Sequence, residues 1–401
     1  MVTTISLDAA KDGAGIPDAA CETGIATVPL VEERSFRQWQ VEIPARYRGV
    51  GIDALTARIR AARAAVGSRA VILGHHYQRE DIIQFADVRG DSFKLAQWAA
   101  EQRGVEYIVF CGVHFMAESA DILTAPEQQV ILPNLAAGCS MADMAQPGDV
   151  LKAWASLQRE GIDGIVPVTY INSAAALKAF VGRNGGIVCT SSNAGAVIEW
   201  AFQRGRRVFF FPDQHLGRNT ALKLGIPDDE MALWDYDWPF DDLGGNRVEQ
   251  LRRSRVILWQ GHCNVHARFS VPQIEQARRD YANVRVIVHP ECTREVVAAA
   301  DASGSTEFIA RQVAEAPAGS VLAIGTEINL VNRLANEHPE KTVFCLDPIF
   351  CPCSTMYRVH PAYLCWVLEE LAEGRVVNRI QVDDETAHWA RIALERMLQV
   401  R

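Results

Sequence analysis

The chain has 401 residues, 49% hydrophobic and 22% charged, the composition of an ordinary folded protein with room for a large core and two or three domains. Forty basic against forty-nine acidic residues give a net charge of -9, which argues against a nucleic-acid binder, and no run of about eighteen apolar residues offers a membrane span. With neither a basic start nor an apolar run at the N-terminus, the expected location is the cytoplasm, where the ten cysteines stay reduced.

Residues 1–45 read as an irregular leader. From about residue 49 the pattern becomes regular: helix-like IDALTARIRAARAAV, strand RAVILGHHY, helix-like EDIIQFADV, then the helix DSFKLAQWAAEQRG feeding the strand VEYIVFCG. The unit recurs through QQVILPN, DGIVPVTYIN, GGIVCTSS, RRVFFFPD, SRVILWQG, VRVIVHPE, GSVLAIGT and KTVFCLD. Short apolar runs between amphipathic helices predict an α/β protein with parallel sheets covered on both faces. One segment breaks the pattern: residues 225–250 are acidic and aromatic, with little periodicity, and read as a loop or small hairpin outside the sheet.

In such folds ligands bind beyond the carboxyl ends of the strands, so the polar residues there are the candidates. His75, His76 and Tyr77 follow the first strand, with Ser92 a little further on. Tyr170 and Asn172, Ser191, His289 and Glu291, and Ser305 and Thr306 hold comparable places. Hydroxyls and backbone N–H groups at helix starts suit carboxylates and phosphates, and no nucleotide-binding glycine motif is present. The set therefore points to small anionic substrates and acid–base chemistry.

Four cysteines lie at strand ends in polar company: Cys139, Cys263, Cys292 and Cys351. Cys111 and Cys189, inside strands, read as small buried hydrophobes. Brought together at a domain junction, Cys139, Cys263 and Cys351 can hold a zinc ion with His262 or His266, or an iron–sulfur cluster through three of its irons. Spacing alone leaves both open.

Taken in order, GHHYQ, GDSFKLA, CGVHFMAESADIL, GCSMADM, YINSAAALKA, CTSSNA, PDQHLGR, WQGHCNVH, HPEC, GSTEFI and CPCSTMYR resemble the quinolinate synthase family, the cluster-containing enzymes of bacterial NAD biosynthesis. The resemblance runs from about residue 70 to 375. It implies three similar αβα three-layer domains with parallel sheets around a pseudo-threefold axis, spanning 46–138 with 352–401, 139–262 and 263–351. It further implies a [4Fe-4S] cluster on Cys139, Cys263 and Cys351, with one open iron acting as a Lewis acid and Cys353 either tuning the cluster or inert. Tyr77, His289 and Glu291 are implied in acid–base steps; His75, Ser92, Tyr170, Asn172, Ser191 and Thr306, with His289 and Glu291, are implied in substrate binding. The implied reaction condenses iminoaspartate with dihydroxyacetone phosphate to quinolinate, losing phosphate and two waters. L-Aspartate oxidase or dehydrogenase is the expected supplier of iminoaspartate, and no nucleic-acid or membrane partner is expected.

Overall fold

Three sheets carry the fold in the computed structural model, which describes residues 42–347, 349 and 352–400; most of the leader, and Cys351, lie outside the described residues. The first sheet contains β1 (Ala70–His75), β2 (Val88–Gly90), β3 (Tyr107–Cys111) and β4 (Gln129–Ile131), in the order β2–β1–β3–β4, all parallel. The second contains β5 (Ile165–Tyr170), β6 (Ile187–Cys189), β7 (Arg207–Phe211), β8 (Met231–Trp234) and β9 (Val256–Trp259), in the parallel order β6–β5–β7–β9–β8. The third contains β10 (Arg285–Val288), β11 (Ala302–Ser303), β12 (Val321–Gly325) and β13 (Thr342–Cys345), in the parallel order β11–β10–β12–β13. A last short strand, β14 (Arg379–Ile380), joins the first sheet antiparallel to β4.

Each sheet repeats one topology: its first strand in sequence lies between its second and third. The chain reverses its winding direction there, which opens a crevice beyond the first strand's carboxyl end. Every residue of β1 and β3 is buried, as expected for parallel strands covered on both faces. In the third sheet alternation sorts the core by face: Val286 and Val288 of β10 join one cluster with Ala323, while Ile287 joins another with Leu322 and Ile324.

Two expectations are corrected. The EDIIQFADV run is helical only over Glu80–Ile83, and Val88 already opens β2. Asp87 turns the chain, its N–H donating to the Ile72 carbonyl at 2.8 Å while its carboxylate accepts the Ile72 N–H at 2.7 Å. The 225–250 segment does enter a sheet: Met231–Trp234 forms the edge strand β8, paired Met231↔Val256 through Trp234↔Trp259. Its apolar window is four residues long with charges on both sides, too short to show a period, yet Met231, Ala232 and Trp234 are buried.

The helix Asp384–Gln399 packs on the helix Ala175–Arg183 of the second sheet. The approach is close because Gly182 lacks a side chain; a Cβ there would lie 2.0 Å from the Trp389 carbonyl oxygen.

Candidate active site

The repeated topology brings corresponding strand ends together. One cavity is lined from all three sheets. The ends of the first strands supply a polar pair each: His75 and Tyr77, Tyr170 and Asn172, His289 and Glu291. The ends of the second strands supply hydroxyls: Ser92 after β2, Ser191 after β6 and Thr306 after β11. Ser92 and Thr306 are the first residues of the helices Ser92–Glu101 and Thr306–Glu315, capped by Asp91 and Ser305. A third set is sulfur: Cys139 follows β4, Cys263 follows β9 and Cys353 follows β13.

Of the sequence-predicted site residues, His75, Tyr77, Ser92, Cys139, Tyr170, Asn172, Ser191, Cys263, His289, Glu291 and Thr306 line this one cavity; His76, His262, His266 and Ser305 do not, and Cys351 lies outside the described residues. Cys353, two positions on, is the thiol present in the lining, its N–H donating to Glu327 Oε1 at 3.2 Å. Cys292 instead packs in the core of the third sheet. Cys111 and Cys189 are buried at the ends of β3 and β6.

The polar side chains form a connected relay. Glu291 accepts a hydrogen bond from the Tyr170 hydroxyl at 2.7 Å and pairs with His266 Nδ1 at 2.8 Å. With Nδ1 donating to the carboxylate, His266 Nε2 is left to accept, and it lies 3.3 Å from the Tyr77 hydroxyl and 3.1 Å from Thr326 Oγ1. Tyr77 and Thr326 are themselves 2.8 Å apart. The His289 ring stacks on His266 with centroids 4.3 Å apart. Asn172 Oδ1 is buried with no partner among the described residues.

Electrostatics sets the resting protonation of this relay. Burial, reinforced by the Glu291 charge, pushes both the Tyr77 and Tyr170 hydroxyls well above the usual phenol range. Burial likewise holds His75 well below the ordinary histidine value and lowers His289 to about 3, so both rings are neutral near pH 7. Burial would raise Glu291 too, but the neighbouring His289 and His266 and the hydrogen bonds from His266 and Tyr170 outweigh it and hold the carboxyl down. With His289 neutral, His266 and the hydrogen bonds from His266 and Tyr170 are what keep Glu291 ionised. The site thus rests with two loaded acids and one charged base.

Three placements escape a reading of motifs alone. His266 sits in the short turn His266–Arg268 after Cys263, and Thr326 directly after β12; each gains meaning only from partners on other sheets. The C-x-x-H spacing of Cys263 and His266 is a signal for His266, and the strand-end rule is one for Thr326. Cys353 is the third. The nearest ligand atoms of Cys263, His266 and Glu291 lie within 4.8 Å of one another, a candidate metal centre.

A cavity of loaded acids, a charged base and candidate metal ligands, shared by three repeated sheets, defines an α/β enzyme of acid–base chemistry. Residues 57–399 match the family described as quinolinate synthetase A protein. The chain is 59% identical over 362 residues to the quinolinate synthase of Corynebacterium glutamicum, covering 90% of this chain and 91% of that protein. It is 57% identical over 366 residues to that of a Nocardioides species, covering 89% and 92%, and 53% identical over 362 residues to that of Streptomyces coelicolor, covering 89% and 91%. The chain belongs to the quinolinate synthase family.

Proposed function

We propose that the chain condenses iminoaspartate with dihydroxyacetone phosphate, releasing quinolinate, phosphate and two waters. The observation that supports this most is the meeting of three hydroxyl-bearing strand ends with an acid–base relay in one cavity. The substrates bring carboxylates and a phosphate. Ser92, Ser191 and Thr306, with the N–H groups of the helix starts beside them, receive these anions. Asn172 offers its free carbonyl oxygen to the substrate amine or hydroxyl.

Carbon–carbon bond formation and the eliminations that follow need protons moved on and off the substrate. Tyr77 gives a proton to a leaving or developing oxygen, its hydroxyl held in place by His266 Nε2 and Thr326 Oγ1. Glu291 is the base at the other end of the relay, taking protons through His266 or Tyr170. The neutral His75 and His289 donate hydrogen bonds without adding a charge that would trap the anions.

The thiols fit a soft iron centre better than a free-thiol role. Burial pushes Cys139, Cys263 and Cys353 all upward, so their thiolates need a cation to be stable. We propose a [4Fe-4S] cluster on Cys139, Cys263 and one thiol of the segment 351–353; Cys353 lines the cavity beside Cys139 and Cys263, which supports it as that thiol. When bound through three cysteines, such a cluster supplies one Lewis-acidic iron at the cavity.

The proposal extends to the division into 46–138 with 352–401, 139–262 and 263–351. It is supported by each range holding one sheet's parallel strands, although the last helix packs on the second sheet. Among the described residues no helix is long and apolar enough to cross a membrane, in keeping with the proposed cytoplasmic location. L-Aspartate oxidase or dehydrogenase is the proposed source of iminoaspartate. The test is anaerobic purification with iron and sulfide quantitation, then an assay for quinolinate from the two substrates. Iron-loaded protein that forms no quinolinate defeats the reading.

A further inference from the structure

Beside the candidate active site lies a second cavity, and Ser191 lines both. The second cavity therefore opens against the wall that offers a substrate hydroxyl contact. Two exposed cations face it, Lys223 and Arg311. Neither has a carboxylate partner among the described residues: Lys223 Nζ donates to the Ser303 carbonyl at 3.3 Å, and Arg311 lies over the Phe308 ring at 5.7 Å.

The acid in the lining is Glu307, and it is already engaged, 2.9 Å from His76 Nε2 and 3.3 Å from Lys94 Nζ. Ser303 Oγ, also in the lining residues, is buried without a partner. The helices Ala194–Phe202 and Thr306–Glu315 both begin at this wall and turn their positive ends toward it. On a chain of net charge -9, two cations without carboxylate partners on a cavity adjoining the substrate site make a local attraction for anions.

We propose that this cavity is the approach by which the phosphate-bearing substrate reaches the active site, with Lys223 and Arg311 docking its phosphate before it passes Ser191. The inference rests on the proposed reaction. A phosphate monoester suits the place better than a lone carboxylate, because it brings close to two charges and three acceptor oxygens to two separate cations.

The test uses the iron-loaded enzyme with Lys223→Gln, Arg311→Gln and the double variant. Arg103→Gln serves as control, since Arg103 is exposed and lines neither cavity. Steady-state rates are measured for each substrate with the other saturating, at low and at physiological ionic strength. Each single variant should lower kcat/KM for dihydroxyacetone phosphate about threefold at low salt, and the double variant about tenfold. The loss should shrink as salt rises, with kcat and iron content unchanged. A double variant with wild-type kcat/KM overturns the proposal, as does a loss that falls on iminoaspartate or on kcat. If the wild-type protein forms no quinolinate, the reaction is wrong, and phosphorus NMR then decides the docking site. Line broadening of inorganic phosphate should be seen with wild type and control and lost in the double variant; broadening retained in the double variant overturns it.

Discussion

Replacing Tyr77 by phenylalanine removes one oxygen and leaves the ring where it packs against both the large core and the third-sheet core. Thr326 Oγ1 still has His266 Nε2 at 3.1 Å, so no buried group loses its last partner, and the fold should lose only about 0.5–1.5 kcal/mol. Catalysis should suffer far more. Loss of a positioned proton donor typically costs about 10²–10⁴ in rate, equivalent to about 2.7–5.5 kcal/mol of barrier. The two numbers separate a catalytic role from a packing role. The assay is quinolinate formation under anaerobic conditions at saturating substrates, alongside denaturant unfolding and iron content. Turnover within about threefold of wild type, with stability and iron unchanged, would remove Tyr77 from the proton path.

Serine at Cys139, Cys263 or Cys353 should each abolish iron and sulfide binding, since an alkoxide is a poor match for iron that prefers thiolate, whereas Cys351→Ser should keep both. The reverse result for the last two would return the third ligand to Cys351. Gly182→Ala should destabilise the protein by at least about 1–3 kcal/mol, because its Cβ would meet the Trp389 backbone; an unchanged urea midpoint would show that the two helices can separate cheaply. Stability should also fall as pH drops below about 6.5. His75 and His289 have folded-state pKa values below their unfolded ones, so the unfolded chain binds more protons in this window, which for His289 extends down to about 3. The slope is up to about 1.4 kcal/mol per pH unit for each ring. Urea midpoints at pH 7 and pH 5 measure it, and His289→Gln should flatten the difference; an equal fall in the variant would assign the effect elsewhere.

Most of the fold was legible because parallel strands buried on both faces are written as uninterrupted apolar runs, as in AVILG of β1 and VFFF of β7. The strands that escaped are the short ones at sheet edges. β2, β8, β11 and β14 have two to four residues each, and their pairing is decided by partners such as Asp87 and Val256, which no local pattern contains. The candidate site was legible for a related reason: strand ends followed by polar pairs mark the crevice. His266, named from sequence as a possible zinc ligand, and Thr326 hid their relay roles because these lie in bonds to Glu291 and Tyr77 across sheets.

One strand-end pair, one hydroxyl and one thiol from each sheet make the site a seam between three sheets. A slip of about 1 Å by any one of them misplaces a member of every set at once, a displacement of the size that can cost about 10²-fold in rate. The same sharing runs the other way. A molecule gripped from all three sides binds only the seated arrangement, and at a hundredfold excess over its Kd it adds about 2.7 kcal/mol to that arrangement. Substrate is then a mortar as well as a reactant: the enzyme at work is held together at its centre more firmly than the enzyme left idle.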